Sequence, residues 1–165
     1  ACGILPAALL TMQETRGCTD DQLVDALFTA AAVGGVIATR ASISGAEGGC
    51  QAECGSASAM AAAAVCELAG APAQAAVDAA AFALMASMGL VCDPVRGLVE
   101  VPCVYRNVSG VANALTAADL ALSGIACPLD ADDVIDAMKT VGDAMPASLR
   151  ETGEGGCAAC RVRFE

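Results

Sequence analysis

Apolar residues recur at helical spacing along most of the chain, and glycine and proline interrupt the pattern at only a few places. Leu23, Ala26 and Ala30 belong to one such stripe, which Thr19 or Asp20 precedes as a helix cap. The same pattern predicts further helices over about 6–16, 56–68, 72–88, 107–123 and 131–145. Only the stretch LVEVPCVY alternates as a strand would. The pattern therefore predicts an all-α fold, a compact multi-helix domain.

Two segments break the helical pattern and are rich in glycine or proline. The first, RASISGAEGGCQAECGS, holds four glycines between Gly45 and Gly55. The second, VCDPVRGLVEVPC, contains Pro94 and Pro102, and each proline biases the residue before it away from helix. Loops of this kind carry function more often than helices do. We therefore expect the functional groups in these loops, at one end of the helix bundle.

Length and charge exclude several functional classes. The 165 residues suffice for a single domain over 1–165, and the net charge is −11. Such a charge argues against nucleic acid, whose phosphates require clustered Lys and Arg, and against an anionic membrane surface. No uncharged run reaches the ~20 residues of a membrane span, so 26–39 and 79–92 are predicted as buried core helices. No signal peptide is predicted either.

The chain has ten cysteines and no histidine. In a long helical chain this cysteine count favours the reducing cytoplasm over a disulfide framework. Cys18, Cys66 and Cys127 are predicted to act as small buried apolar residues. The lack of histidine removes the commonest general base and every histidine-containing dyad. Chemistry in this chain must then use a metal, carboxylates, other side chains or a second chain.

Cys50, Cys92 and Cys103 lie in the glycine- and proline-rich segments and not on an apolar helix face. They are either unrelated buried thiols or ligands of a soft metal, whose sulfurs backbone N–H groups in glycine turns can tune. Three ligands would leave one iron of a cluster open, as Lewis-acid catalysis requires. Cys157 and Cys160 have the one familiar metal or redox spacing, which as a lone pair is a weak signal.

Three stretches, ISGAEGGCQAECGSASAMAAAA, GLVCDPVRGLVEVPC and NVSGVANALTAADLALSGI, resemble the α chain of the iron–sulfur-dependent L-serine dehydratases. The resemblance covers essentially the whole chain, including the spacing from Cys50 through Cys92 to Cys103. It implies that these three cysteines bind a catalytic [4Fe–4S] cluster. It also implies deamination of L-serine: the open iron activates the hydroxyl, a base removes the α proton, and the aminoacrylate product yields pyruvate and ammonia. The base itself stays unassigned.

The same resemblance implies a tail cysteine that occupies the open iron until substrate displaces it. Cys160 or Cys157 is the candidate here, although neither lies at the very end of the chain, where the tail cysteine of the family lies. The alternative is a mobile tail over 151–165 that carries incidental thiols.

Polar residues before Cys50 are candidates for binding the substrate carboxylate and ammonium. These candidates are Arg40, Ser42, Ser44 and Glu47. The alternative for each is an ordinary surface role at a capped helix end. Cys54, four residues after Cys50, is predicted to be a packing residue and not a further ligand.

Complete members of the family also have a β portion, a separate chain in some members, and a substrate loop upstream. This chain begins with Ala1, so we expect a fragment truncated at its N-terminus that carries the cluster. Its expected partners are L-serine and a β chain or β domain, with homo-oligomerisation left open. The rival function is an iron–sulfur redox or iron sensor that uses the same cysteines without catalysis.

Overall fold

Seven α-helices, arranged around one central helix, form the fold in a computed structural model that describes residues 3–163. The helices are α1 (Ile4–Arg16), α2 (Asp20–Arg40), α3 (Gly45–Gly48), α4 (Ser56–Leu68), α5 (Ala73–Ser87), α6 (Cys103–Leu122) and α7 (Ala131–Ala144). A π-helical turn (Gln51–Gly55) leads into α4, and short 3-10 turns lie at Val95–Gly97, Ala147–Leu149 and Gly156–Ala159. Within residues 3–163 no strand forms, so the all-α prediction is confirmed.

Local capping chemistry sets several helix boundaries. The Thr19 hydroxyl accepts a hydrogen bond from the Gln22 N–H, and the Gln22 side chain accepts one from the Thr19 N–H, which closes a capping box at the start of α2. Gly17 adopts a left-handed conformation and ends α1. Asp130 caps α7 by accepting from the Asp132 N–H at 3.0 Å. The boundaries predicted at these points therefore agree with the structure to within two residues.

Helix α4 lies at the centre and packs against α1, α2, α5 and α6. Its middle is a run of alanines, Ala59 and Ala61–Ala64, all fully buried. Alanine side chains are short, so four neighbouring helices can approach this one closely. Cys66 on α4 and Cys18 after α1 are buried, as predicted, whereas Cys127 is only half-buried.

Helix α2 differs from the prediction of a buried core helix over 26–39. It buries Ala26, Ala30 and Ile37 but leaves Phe28 exposed, because it lies at the edge of the bundle and packs through one face. Among the helices of the described residues, α2 alone has the length and composition of a membrane span, with a mean hydropathy of 1.5. Core helices of soluble proteins can have the same length and composition, so these two properties are weak support for a membrane span.

The strand-like stretch 98–105 forms turns and the beginning of α6. Helix α6 begins at Cys103, four residues before the predicted start. Pro102 directly before it lacks an N–H, which the first turn of a helix does not need. Cys103 is consequently the first residue of a helix and not part of an irregular loop.

We expect Gly110→Ala in α6 to destabilise the fold. An added Cβ would lie 3.0 Å from both Ile4 Cγ1 and Ser58 Oγ, where α1, α4 and α6 meet. Overpacking of this kind costs roughly 1–3 kcal/mol of unfolding free energy, measured by urea titration. Gly35→Ala is the matched control, because no atom lies within 4 Å of its added Cβ. It should be neutral or stabilising by up to about 1 kcal/mol. Equal stabilities of the two variants would contradict this packing.

Candidate metal centre

Cys50 is positioned by a backbone approach that only glycine permits. Gly49 has φ +76°, and a Cβ at this residue would lie 2.7 Å from the Leu90 carbonyl oxygen. Cys50 follows immediately, is 2% exposed and leads into the π-helical turn. Single π-helical turns often occur at functional sites. The Gly-Gly-Cys sequence is therefore explained by close packing of this loop on the segment before Cys92.

Gln51 joins the first cysteine loop to the second. Its side chain is buried, its Nε2 donates to the Met138 carbonyl at 2.9 Å, and its Oε1 accepts from the Gly89 N–H at 2.8 Å. Its own N–H donates to the Leu90 carbonyl at 2.9 Å. These bonds hold the Cys50 loop against α7 and against the end of α5.

Cys92 and Cys103 are positioned by two further elements. Cys92 is 5% exposed, and its backbone is held on both sides: its N–H donates to the Leu149 carbonyl at 2.8 Å, and its carbonyl accepts from the Glu151 N–H at 2.7 Å. Cys103 is half-buried in the first turn of α6 and lines a cavity of about 560 Å³. The N-terminal end of a helix favours a negatively charged thiolate.

Cys54 lies beside Cys50 and interacts with it, in addition to the packing role predicted for it. The two sulfur atoms lie 3.2 Å apart. The hydrogen bond from Cys54 lowers the pKa of Cys50 to about 7, burial opposes this shift, and the positive charge of Arg106 contributes to it. The same hydrogen bond raises the pKa of Cys54. The ionised form of Cys50 is therefore stabilised relative to that of Cys54.

The three predicted ligands influence one another electrostatically. Burial raises the pKa of Cys92 to about 12 and also raises that of Cys103, and the negative charge of Cys50 adds to both shifts. No three His, Cys, Asp or Glu side chains of the described chain converge closely enough to hold a single ion. In a [4Fe–4S] cluster each cysteine thiolate binds a different iron.

Glu53 is a residue of this site that the sequence did not reveal. Its charge raises the pKa of Cys50, Cys92 and Cys103. A Cβ at Gly45 would lie 3.0 Å from Cys92 Sγ and 3.2 Å from Glu53 Oε2, so thiol and carboxylate border the same point. The only signal in the sequence was position: Glu53 is the third residue after Cys50.

Asp93 connects the site to the C-terminal tail. This buried carboxylate pairs with Arg106 at 2.6 Å and accepts from the Cys157 N–H at 2.6 Å. Burial alone would raise the pKa of Asp93, but the hydrogen bonds from Cys157 and Arg106 bring it below its usual value. The turn that contains Cys157 thus lies beside Cys92, whereas Cys160 is exposed. Mobility of the tail stays a prediction.

Arg40, a predicted substrate residue, forms ion pairs between two helices. Its guanidinium contacts Asp136 at 2.7 Å and Asp132 at 3.1 Å, and both carboxylates belong to α7. These contacts join the end of α2 to α7. A role of Arg40 in substrate binding stays a prediction.

Ser42, Ser44 and Glu47 form one hydrogen-bonded loop. The Ser42 hydroxyl donates to Glu47 Oε2 at 2.5 Å and accepts from the Ser44 N–H at 3.0 Å. Ser42 and Glu47 line a cavity of about 320 Å³ together with Lys139 and Arg150. The cavity is therefore lined by charges of both signs, and a substrate role for the loop stays a prediction.

Comparison with known proteins gives one consistent family. The sequence pattern of the family described as serine dehydratase alpha chain matches residues 1–158. The chain is 54% identical to the "Probable L-serine dehydratase, alpha chain" of Bacillus subtilis (strain 168), over 96% of this chain and 53% of that protein. It is 47% identical to the L-serine dehydratase alpha chain of Peptoniphilus asaccharolyticus, over 97% of this chain and 55% of that protein. It thus spans about half the length of these two relatives.

Longer relatives match as well. The L-serine dehydratase of Mycobacterium tuberculosis (strain CDC 1551 / Oshkosh) is 44% identical over 96% of this chain, a match that covers 35% of that protein. L-serine dehydratase 2 of Escherichia coli (strain K12) is 45% identical, with the same coverage of each chain.

We expect Cys54→Ala to raise the pKa of Cys50 from about 7 toward the ordinary cysteine value of about 8.5, because the variant removes the hydrogen bond that stabilises the thiolate. The fraction of ionised Cys50 at neutral pH should fall. The ionised fraction is measured from the ultraviolet absorbance of the thiolate during a pH titration, after subtraction of the same titration of Cys50→Ala. Cys66→Ala removes a buried thiol on α4 and should leave the titration unchanged. An unchanged Cys50 titration in Cys54→Ala would contradict the assignment.

We expect Asp93→Asn to expose Cys157. The hydrogen bond with Asp93 raises the pKa of the Cys157 thiol, and Asp93 also holds its N–H, so its loss should speed alkylation several-fold. Peptide mass spectrometry would report the rate for Cys157 relative to exposed Cys160 as the internal reference. Asp143→Asn, which breaks an exposed ion pair on α7, is the control. Equal rate ratios in the two variants would show that Asp93 does not hold the tail.

Proposed function

The chain belongs to the serine dehydratase alpha chain family, and on that premise we propose that it supplies the metal centre of an iron–sulfur-dependent L-serine ammonia-lyase. In this proposal Cys50, Cys92 and Cys103 hold a [4Fe–4S] cluster. One observation carries it: three cysteines from three separate segments lie within electrostatic reach of one another, and the hydrogen bond from Cys54 lowers the pKa of Cys50. Cysteine thiolates are the usual ligands of such clusters.

A cluster bound by three protein thiolates would supply an iron for Lewis-acid assistance to the departing serine hydroxyl. The residues of the chain perform the other tasks. Arg106 places a fixed positive charge beside Cys50 and Asp93 and so stabilises their negative forms. Burial of Cys50 and Cys92 keeps water from their thiolates. Ser42, Ser44 and Glu47, in the loop before Cys50, remain our candidates for binding the polar ends of L-serine.

The tail fits the role of a displaceable ligand through Cys157 better than through Cys160. Asp93 holds the Cys157 backbone beside Cys92, and the Cys157 thiol is also within reach of the Arg106 charge. Cys160 is exposed, with its sulfur 3.9 Å from the Gly156 carbonyl oxygen. We therefore assign the displaceable position to Cys157.

A further part of the enzyme is expected to cover the surface around Cys103. Val99, Val104, Tyr105 and Val108 are all exposed there, and apolar patches of this kind commonly mark interaction sites. The chain also spans only part of the length of its relatives, two of which are named as alpha chains. The β chain or β domain is our proposed partner at this surface, and L-serine turnover by the complete enzyme is part of the same proposal.

We expect anaerobic treatment with iron and sulfide to give the broad visible absorbance of an iron–sulfur cluster. Cys50→Ala should lose most of this absorbance. Cys66→Ala should retain it, because Cys66 lies on α4 and is not one of the proposed ligands. Iron uptake by Cys50→Ala equal to that of the unaltered chain would contradict the ligand assignment. In the complete enzyme L-serine should alter the cluster spectrum and release pyruvate. Reversible one-electron reduction without any serine effect would favour the sensor function instead.

A further inference from the structure

Cys50 and Cys54 are the one pair of cysteines within residues 3–163 whose sulfurs share a hydrogen bond. Their Sγ atoms lie 3.2 Å apart. The other cysteine sulfurs that form hydrogen bonds, those of Cys66 and Cys160, bond to backbone carbonyls instead. The sulfurs of a disulfide lie about 2.05 Å apart, so Cys50 and Cys54 would have to approach by only about 1.2 Å. These two sulfurs can therefore react with each other after a small movement.

The π-helical turn holds the two cysteines in this position. Cys50 directly precedes the turn, and Cys54 lies within it, four residues further along the chain. Side chains four residues apart in a helical turn lie on the same face. The backbone on both sides is fixed, since Gln51 bonds to Met138 and the carbonyl of Cys54 accepts from the Ser58 hydroxyl at 2.8 Å. The short distance between the sulfurs is thus a consequence of the backbone conformation.

A polar cavity gives a small oxidant a way to this pair. Cys54 lines a cavity of about 320 Å³ between α4, α5 and α6, together with the polar side chains of Ser58, Ser87, Arg106 and Asn113. Hydrogen peroxide is little larger than water and forms the same kinds of hydrogen bond, so a polar cavity of this size can admit it. Cys50 and Cys54 are only 2% and 4% exposed, which disfavours larger oxidants.

We propose that Cys50 and Cys54 form a reversible disulfide when the cluster is absent, and that this disulfide protects a cluster ligand from irreversible oxidation. The inference rests on the proposed function, in which Cys50 binds iron. A cysteine bound to iron is not free to react, so the pair is a modification site of the cluster-free enzyme. Disulfides of cytosolic proteins commonly have such transient redox roles.

The chemistry requires hydrogen peroxide as the oxidant. The Cys50 thiolate attacks one oxygen, the O–O bond breaks and hydroxide leaves, so Cys50 becomes a sulfenic acid. The Cys54 sulfur then attacks the Cys50 sulfur, the S–O bond breaks, and the hydroxyl leaves with the Cys54 proton as water. The two thiols together lose two electrons, and peroxide is reduced to hydroxide and water. A dithiol reverses the disulfide by exchange, whereas a second peroxide would convert an unprotected sulfenic acid to a sulfinic acid that dithiols do not reduce.

The test uses the complete enzyme, freed of iron by an anaerobic chelator and then treated with hydrogen peroxide. Digestion at glutamate separates Cys50 and Cys54 onto peptides 48–53 and 54–67. We expect mass spectrometry without reduction to find these two peptides joined by a disulfide. Cys66 shares the second peptide, so Cys66→Ser should leave the joined pair unchanged and Cys54→Ser should abolish it. Absence of the joined pair, or a disulfide from Cys50 to another peptide in its place, would overturn the inference.

Recovery of the cluster is the second measurement. After peroxide, a dithiol and then iron and sulfide are added, and the unaltered enzyme and Cys66→Ser should regain most of their earlier iron content. Cys54→Ser should take up iron normally before peroxide but regain several-fold less afterwards, with two oxygens added to peptide 48–53. Equal recovery in Cys54→Ser would overturn the protective role. Failure of this variant to take up iron even before peroxide would also overturn it, because Cys54 would then be needed for the cluster itself.

The reconstituted enzyme separates this inference from the proposed function. With iron bound to Cys50, the joined peptides should form several-fold more slowly than in the iron-free enzyme. Equal rates would overturn Cys50 as a ligand, and with it the proposed function and the protective role. Normal cluster formation without joined peptides in the iron-free enzyme would overturn the disulfide alone.

Discussion

The buried amide of Gln51 determines how the two cysteine loops meet. An amide side chain has donors and an acceptor, and each group buried without a partner costs about 1–3 kcal/mol. Gln51 meets this requirement by bonding at once to the Met138 carbonyl and the Gly89 N–H. Both bonds can form only when the Cys50 loop lies against α7 and the end of α5. The relative placement of Cys50 and Cys92 follows from that arrangement.

The resulting site concentrates negative charge around one arginine. Arg106 pairs with Asp93 at 2.6 Å and lowers the pKa of Cys50, so one cation stabilises both a carboxylate and a thiolate. Asp93 in turn holds the backbone of Cys157. A change in charge at the thiols therefore alters the electrostatic environment of Arg106, and through Arg106 that of Asp93, which holds the tail. This linkage gives a physical route by which a ligand near Cys50 can alter how firmly the tail is held.

Sequence reasoning identified those features that depend on neighbours along the chain. Caps at Thr19 and Asp130 and the periodic apolar stripes placed the helices, and loop composition singled out the cysteines. It missed Arg106, Gln51 and Glu53, because their importance comes from contacts with distant residues. Gln51 and Met138, for example, are 87 positions apart. Periodicity also identifies which side of α2 is apolar without indicating how many helices cover it, so exposure of Phe28 could not be foreseen.

The alanine-rich centre of the bundle also bears on the candidate site. Helix α2 approaches α4 so closely that a Cβ at Gly34 would lie 2.8 Å from the Met60 sulfur. One turn toward the N-terminus of α4 the space opens into a cavity lined by Ser56 and Glu53. Met60 therefore fills the gap between the helices on one side and bounds the cavity on the other. Larger side chains along α4 would push α2 outward and with it the loop of Ser42 and Ser44. The small residues that make the core close-packed thus also set the distance between this loop and the thiols.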